Sequence, residues 1–116
     1  MKRMFLTVAL AAAAGLIGLT VGDASAQDAK AIYAKECAKC HGDSGAGDGA
    51  MGQKMKDKPS DWTKGAGLAG MDDAKLAESI KKGGGAVGKS KAMPAYPKLS
   101  DAEVSALVAH VKSFKK

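Results

Sequence analysis

Five consecutive residues, Cys37-Ala38-Lys39-Cys40-His41, limit what this chain can fold around. They form the pattern C-x-x-C-H, which is the attachment sequence of a c-type haem. Each cysteine thiol can add to one vinyl group of the porphyrin, and His41 is then held where a ring nitrogen can bind the iron. The pattern therefore predicts both the cofactor, one covalently bound haem c with its iron, and the first axial ligand.

Three other kinds of site use two cysteines at this spacing. A thioredoxin-like redox pair lies in a βαβ unit, and no alternating apolar strand precedes Cys37. A tetrahedral zinc site needs four ligands, and the only other histidine, His110, lies far along the chain. A disulfide between Cys37 and Cys40 suits an oxidising compartment but leaves His41 unexplained. Haem attachment is therefore the favoured interpretation.

The first 26 residues have the pattern of a secretory signal peptide. Lys2 and Arg3 form a positive start, residues 5–21 are almost entirely apolar, and Ala24-Ser25-Ala26 is a small-residue cleavage site. An uncleaved anchor is the weaker interpretation, because this apolar segment contains two glycines and is short for a bilayer core about 30 Å thick. We predict cleavage after Ala26 and export to the periplasm, where a bacterial c-type haem is expected to be attached.

Removal of the signal peptide leaves residues 27–116, which is enough for one domain and too few for two. This part carries 16 lysines and 11 acidic residues. Its positive charge predicts redox partners with acidic docking surfaces. Nucleic acid is not expected as a partner, because the lysines are dispersed, no arginine follows Arg3 and no aromatic residues are interleaved with them. We expect a soluble monomer whose docking partners include membrane-bound redox complexes.

Helical periodicity predicts three helices and no strand. The first covers residues 28–39 and ends at the haem cysteines, and a glycine-rich loop follows at residues 42–52. The second covers residues 72–82 and is stopped by three glycines. The third opens with a capping box at residues 100–103. The chain is therefore predicted to be all-α, with long loops that can wrap a haem.

The iron needs a second axial ligand, and Met93 is the strongest candidate. Pro94 disfavours the helical conformation for the residue before it, so Met93 is expected in an extended loop. Methionine also fills gaps in ordinary cores. Three other methionines compete for the role without a proline to fix them: Met51, Met55 and Met71. His110 would give a bis-histidine site, but it lies off the apolar stripe of its predicted helix.

These features together resemble a class I bacterial cytochrome c. The resemblance rests on the C-x-x-C-H pattern after an amphipathic helix, on Met93-Pro94-Ala95-Tyr96 and on a terminal helix at residues 107–114. It covers essentially all of residues 27–116 and implies three to five helices around one covalent haem, with the N-terminal and C-terminal helices crossing. It also implies that His41 is the proximal ligand and Met93 the distal ligand.

The same resemblance assigns residues to the helix crossing. Family members usually carry a small residue eight positions before the first cysteine and an aromatic residue four positions before it, and these are Ala29 and Tyr33 here. The terminal helix usually supplies another aromatic residue, and this chain has His110 in that helix.

Two further residues are expected at the haem. The resemblance implies that a proline carbonyl accepts a hydrogen bond from the free imidazole N–H, and Pro59 is the only proline between the two axial candidates. Trp62, the sole tryptophan, is expected to pack on the haem and to donate its indole N–H to a propionate. The ordinary alternatives are a turn proline and a core aromatic residue.

The sequence thus favours a periplasmic carrier that moves one electron at a time between redox proteins and is not an enzyme. A thioether opposite an imidazole favours ferrous iron, so a fairly positive potential is expected. Two alternatives stay open: a gas-binding or peroxidatic haem protein with a labile distal ligand, and a haem subunit of a larger redox enzyme. The absence of a histidine or arginine beside Met93 counts against the first alternative.

Overall fold

The structure is a computed structural model that describes residues 21–116. The predicted signal peptide lies mainly outside the described residues. Its last part, residues 21–26, is helical and continuous with the domain, and cleavage after Ala26 stays a prediction. Within residues 21–116, no helix combines the length and the apolar character needed to cross a membrane.

Helices and turns make up the regular structure of the described residues, which contain no strand. The α-helices are α1 Val21–Ile32, α2 Ala38–His41, α3 Asp73–Lys82 and α4 Asp101–Ser113. One π-helical turn, Tyr33–Cys37, joins α1 to α2, so the chain stays helical up to the end of the haem motif. Short 3₁₀ turns lie at Gly52–Lys54, Gly65–Leu68 and Gly84–Val87. The predicted all-α fold is confirmed.

Side-chain caps set the starts of the two later helices. The Asp72 carboxylate accepts a hydrogen bond from Lys75 N at 2.8 Å and begins α3. Ser100 and Glu103 form the predicted capping box: Ser100 Oγ accepts from Glu103 N at 3.1 Å, and Glu103 Oε1 accepts from Ser100 N at 2.9 Å. Both predicted starts are therefore confirmed to within one residue.

The first helix is longer than the sequence predicted. That prediction began at Asp28 because an aspartate is a suitable residue to cap the start of a helix. In the uncut chain α1 already begins at Val21. The residues before Asp28 then supply the carbonyl groups that accept its i to i−4 hydrogen bonds.

The core forms where α1 crosses α4, and α3 packs against α4 from another side. Ala29 on α1 is completely buried, and its small side chain allows the two backbones to approach closely. From α4 the core receives four buried side chains: Val104, Leu107, Val108 and Val111. The expected crossing of the terminal helices, with Ala29 and Tyr33 at the contact, is confirmed.

An aromatic cluster closes one end of this crossing. The Tyr33 ring lies 5.0 Å from the His110 ring, edge to face, and 5.2 Å from the Phe114 ring. His110 and Phe114 are themselves 4.8 Å apart. The aromatic position expected on the terminal helix is thus shared by a histidine and a phenylalanine.

Candidate haem site

A cavity of about 320 Å³ lies between the C-x-x-C-H segment and the methionine loop. Its walls include all six residues that the sequence singled out for cofactor binding: Cys37, Cys40, His41, Pro59, Trp62 and Met93. Apolar side chains from α3 and α4, among them Leu76, Ile80 and Leu107, complete it. A larger open groove between α3 and α4 is lined by no cysteine, methionine or aromatic residue. The chemistry of the chain is therefore concentrated in the smaller cavity.

The two cysteines enter the cavity from a widened helical turn. Ala38 N donates to Tyr33 O five residues back, which is the π-helical pattern, so the helix is broadened directly before the motif. Both thiols are free. Burial, together with the nearby Glu36 carboxylate, raises the pKa of Cys37 to about 11. A cysteine of a thioredoxin-like pair needs a lowered pKa, so this environment argues against that alternative.

His41 ends α2 as a mostly buried side chain. Burial lowers the pKa of its imidazole to about 4, so the ring is neutral near pH 7, which is the form that binds a metal. Its Nδ1 atom is buried and has no hydrogen-bond partner among the described residues. The bond predicted between His41 and the Pro59 carbonyl is therefore not formed in this structure. Pro59 lines the same cavity, and its role stays a prediction.

Trp62 covers one face of the His41 ring. The two ring centroids are 4.2 Å apart and their planes are 17° from parallel. This stack has no signal in the sequence, since the two residues are separated by a glycine-rich loop. That loop is tied back by Trp62 N, which donates to Gly45 O at 2.8 Å. The predicted contacts of Trp62 with the haem and a propionate stay predictions.

Hydrogen bonds at Met93 and at Tyr96 hold the methionine loop against the rest of the domain. Met93 O accepts from Gly84 N at 3.2 Å, and Tyr96 N donates to Ile80 O at 2.9 Å. The Tyr96 hydroxyl donates to Glu36 O at 3.2 Å, which joins the methionine loop to the segment just before Cys37. The sequence indicated the loop through Pro94 but gave no sign of these attachments.

Gly84 also allows the methionine loop to pack closely against it, and its place among three consecutive glycines gave no sign of this in the sequence. A Cβ atom at this residue would lie 3.2 Å from Met93 Cβ and would collide with Ser90 O. The methionine loop therefore lies closer to the backbone at position 84 than a residue with a Cβ atom would allow.

Three of the competing axial candidates line the cavity and two do not. Met55 and Met71 line the cavity together with Met93. Met51 is 52% exposed and does not line it, nor does His110. Two free thiols, a neutral imidazole and a tethered thioether thus surround one apolar cavity, and this donor set fits a covalently attached haem with histidine and methionine as axial ligands.

Sequence comparisons find a matching family and two curated relatives. The sequence model of the family described as "Cytochrome C oxidase, cbb3-type, subunit III" matches residues 24–111. The chain is similar to the Cbb3-type cytochrome c oxidase subunit FixP of Azorhizobium caulinodans, at 36% identity over 98 residues, covering 83% of this chain and 30% of that protein. It is also similar to subunit CcoP of Azospirillum brasilense, at 35% identity over 89 residues, covering 76% of this chain and 28% of that protein.

The chain therefore spans less than a third of the length of the curated relatives it matches. No solved structure matches it significantly.

Proposed function

The chain belongs to the family of cbb3-type cytochrome c oxidase subunit III and carries a class I c-type cytochrome domain, and from this premise we propose that it works as an electron-transfer haem domain of a larger redox complex. The sequence favoured a freely diffusing carrier and left two alternatives open, a gas-binding or peroxidatic haem protein and a haem subunit of a larger redox enzyme. Both curated relatives are named as subunits of a cbb3-type oxidase, which supports the haem-subunit alternative.

The observation that carries the proposal is the convergence of Cys37, Cys40, His41 and Met93 on one cavity. The two cysteines would hold one haem c covalently, and His41 and Met93 would be its axial ligands. Bound there, haem c supplies a one-electron Fe(III)/Fe(II) couple.

The protein contributes rigidity and a dry environment to this couple. Leu76 and Leu107, 5% and 1% exposed, belong to the apolar wall and exclude water from it. Met93 is attached through its own carbonyl and through Tyr96, so the axial side chain needs little rearrangement when the charge of the iron changes. A site closed in this way suits electron transfer and not substrate binding, and we assign no catalytic residue to the chain.

Exposed lysines at the cavity support docking of acidic partners. Lys39, Lys58 and Lys89 line the cavity, against two carboxylates, Glu36 and Asp57. Lys91 and Lys98, which flank Met93 in the sequence, are exposed but do not line it. We propose that this positive rim attracts redox proteins with acidic surfaces, including membrane-bound complexes on the periplasmic side.

Haem attachment and axial closure can be tested on the purified holoprotein. Acid extraction should leave the haem on the polypeptide, and ferric and ferrous optical spectra should be low-spin and unchanged by carbon monoxide. Haem that extracts freely would refute covalent attachment. Rapid carbon monoxide binding by the wild type would instead support the gas-binding or peroxidatic alternative.

Membership of a complex is tested separately in the native host. Membranes solubilised in a mild detergent should yield the chain together with cbb3-type oxidase activity when either is purified by affinity. If the chain is recovered only in the periplasmic extract and free of the oxidase, the freely diffusing carrier is the correct hypothesis.

A further inference from the structure

We propose that the domain has a second docking face for an acidic one-electron redox protein, formed by Lys64, Lys115 and Lys116 around the aromatic pair Trp62 and Phe114. We call these five residues the rear face. The inference rests on the proposed electron-transfer function and adds a second contact surface to it.

An aromatic series leads from the iron ligand to this face. Trp62 stacks on the His41 ring at 4.2 Å, and the Phe114 ring lies 6.5 Å from the Trp62 ring at an interplanar angle of 13°. Both pairs are close enough for their rings to interact. Electronic coupling decays steeply across empty space and less steeply through atoms in contact. The near-parallel rings therefore connect the proximal ligand to the end of α4.

Backbone contacts bring the lysines of the rear face to the end of that series. Lys116 N donates to Thr63 O at 3.2 Å, one residue after Trp62. The Lys115 side chain passes Gly65, with its Cε 3.5 Å from where a Cβ would lie. Lys64 lies between these two contact points, and all three lysines are exposed. The positive charges thus surround the position where the aromatic series reaches the surface.

One carboxylate belongs to the same neighbourhood and reduces its charge. Asp61 accepts a hydrogen bond from Thr63 N at 2.9 Å. Hydrogen bonds from Thr63, with Lys64 and Lys116 nearby, hold the pKa of Asp61 below its ordinary value, so it is ionised near pH 7. With the terminal carboxylate of Lys116 counted beside Asp61, three ammonium groups still outnumber two carboxylates, so the rear face is positive and favours an acidic partner.

The lysines of the rear face are separate from the cavity rim, and Trp62 is the one rear-face residue that also lines the cavity. Lys39, Lys58 and Lys89 line the cavity, whereas none of the rear-face lysines does. A haem domain inside a complex must receive an electron from one protein and deliver it to another. Two positive faces allow both proteins to be bound at the same time. In the transfer, the donor loses one electron and ferric iron gains it, and no bond is broken and no proton moves.

The electron route can be measured in a labelled holoprotein. In one protein, Lys115→His introduces a histidine that binds a ruthenium photoreductant. This protein also carries His110→Gln, which removes a competing ruthenium-binding histidine. In a second protein, Lys89→His places the label at the cavity rim. Phe114→Leu should slow photoinduced reduction of the iron several-fold from position 115 and leave the rate from position 89 nearly unchanged, because Phe114 does not line the cavity. Phe114→Tyr, which keeps an aromatic ring, should restore most of the rate. Equal changes from both labels, or none, would contradict the route.

Docking is measured by binding rather than by electron transfer. A polyglutamate peptide titrated into ¹⁵N-labelled ferrous holoprotein should shift the amide signals of residues 63–65 and 114–116. The double variant Lys115→Glu/Lys116→Glu should lose these shifts, and the charge-matched control Lys54→Glu/Lys56→Glu should keep them. Shifts confined to the cavity rim, or lost equally in both variants, would refute the rear face while the proposed electron-transfer function stands. That function itself fails only if the wild type does not attach haem or does not cycle between ferric and ferrous iron.

Discussion

At the scale of single residues, Met93 shows how a ligand is positioned by groups that never touch the metal. The Met93 carbonyl accepts a hydrogen bond from Gly84 N. Tyr96 donates two hydrogen bonds, from its backbone N–H to Ile80 O and from its hydroxyl to Glu36 O. The side chain is therefore presented by a loop that is attached at two places.

Replacing Met93 tests the axial assignment directly. Met93→Ala should open the sixth position, allow carbon monoxide to bind the ferrous protein and lower the reduction potential, because water or hydroxide favours ferric iron more than a thioether does. Potentiometric titration and carbon monoxide difference spectra measure both effects. Met51→Ala is the control, since Met51 is exposed and outside the cavity. A Met93→Ala protein that keeps the wild-type potential would move the assignment to Met55 or Met71, which line the same cavity.

The Tyr96 hydroxyl gives a milder test of the same attachment. Tyr96→Phe removes only the hydrogen bond to Glu36 O, so we expect a loss of roughly 0.5–1.5 kcal/mol in the free energy of unfolding. Carbon monoxide should bind the ferrous variant faster than the wild type and more slowly than Met93→Ala. Urea unfolding and stopped-flow mixing measure these changes. Lower stability with no gain in carbon monoxide binding would show that the bond serves the fold alone.

At the scale of elements, the sequence correctly predicted the features that depend on residues close to one another in the chain. The caps at Asp72 and Ser100 act within four residues, so the pattern alone reveals them. The haem motif is equally local, whereas the extended conformation expected before Pro94 stays a prediction. The stack of Trp62 on His41 and the bond from Tyr96 to Glu36 join residues 21 and 60 positions apart, and no short pattern encodes such pairs.

The 3₁₀ turn at Gly84–Val87 offers a test of such a distant contact. Gly84→Ala should push the methionine loop outward, because the added methyl group meets Met93 Cβ and Ser90 O. Overpacking of this kind costs about 1–3 kcal/mol, and carbon monoxide binding should rise as ligation by Met93 weakens. Gly85→Ala is the matched control, since its Cβ would meet only the flexible Lys91 side chain. Identical behaviour of the two variants in unfolding and gas binding would argue against the close approach at Gly84.

At the scale of the whole molecule, the crossing of α1 and α4 couples stability to pH through His110. Burial, with Lys30 nearby, lowers the pKa of His110 below its ordinary value of 6.5. Below about pH 6.5 the unfolded chain therefore takes up a proton that the folded chain resists, and stability falls as the pH decreases.

His110→Gln should make this loss of stability smaller, which is measured by urea unfolding of the holoprotein at about pH 7.5 and about pH 5. Its optical spectrum and reduction potential should match those of the wild type, because His110 does not line the cavity. A variant with an unchanged pH dependence would assign the effect to another group. Loss of the low-spin spectrum would make His110 an iron ligand.

The π-helical turn Tyr33–Cys37 makes the number of residues before the haem motif a constraint in itself. Tyr33 is fixed in the core, so a residue added after it rotates both thiols by about 100° around the helix axis. Insertion of one alanine after the exposed Ala34 should leave the helical content by circular dichroism nearly unchanged and abolish covalent haem attachment, whereas substitutions at Ala34 or Lys35 should be tolerated. Covalent haem retained after the insertion would contradict this. Exposed positions between Tyr33 and Cys37 therefore accept a change of side chain, while the number of residues between the buried tyrosine and the first thiol is held constant.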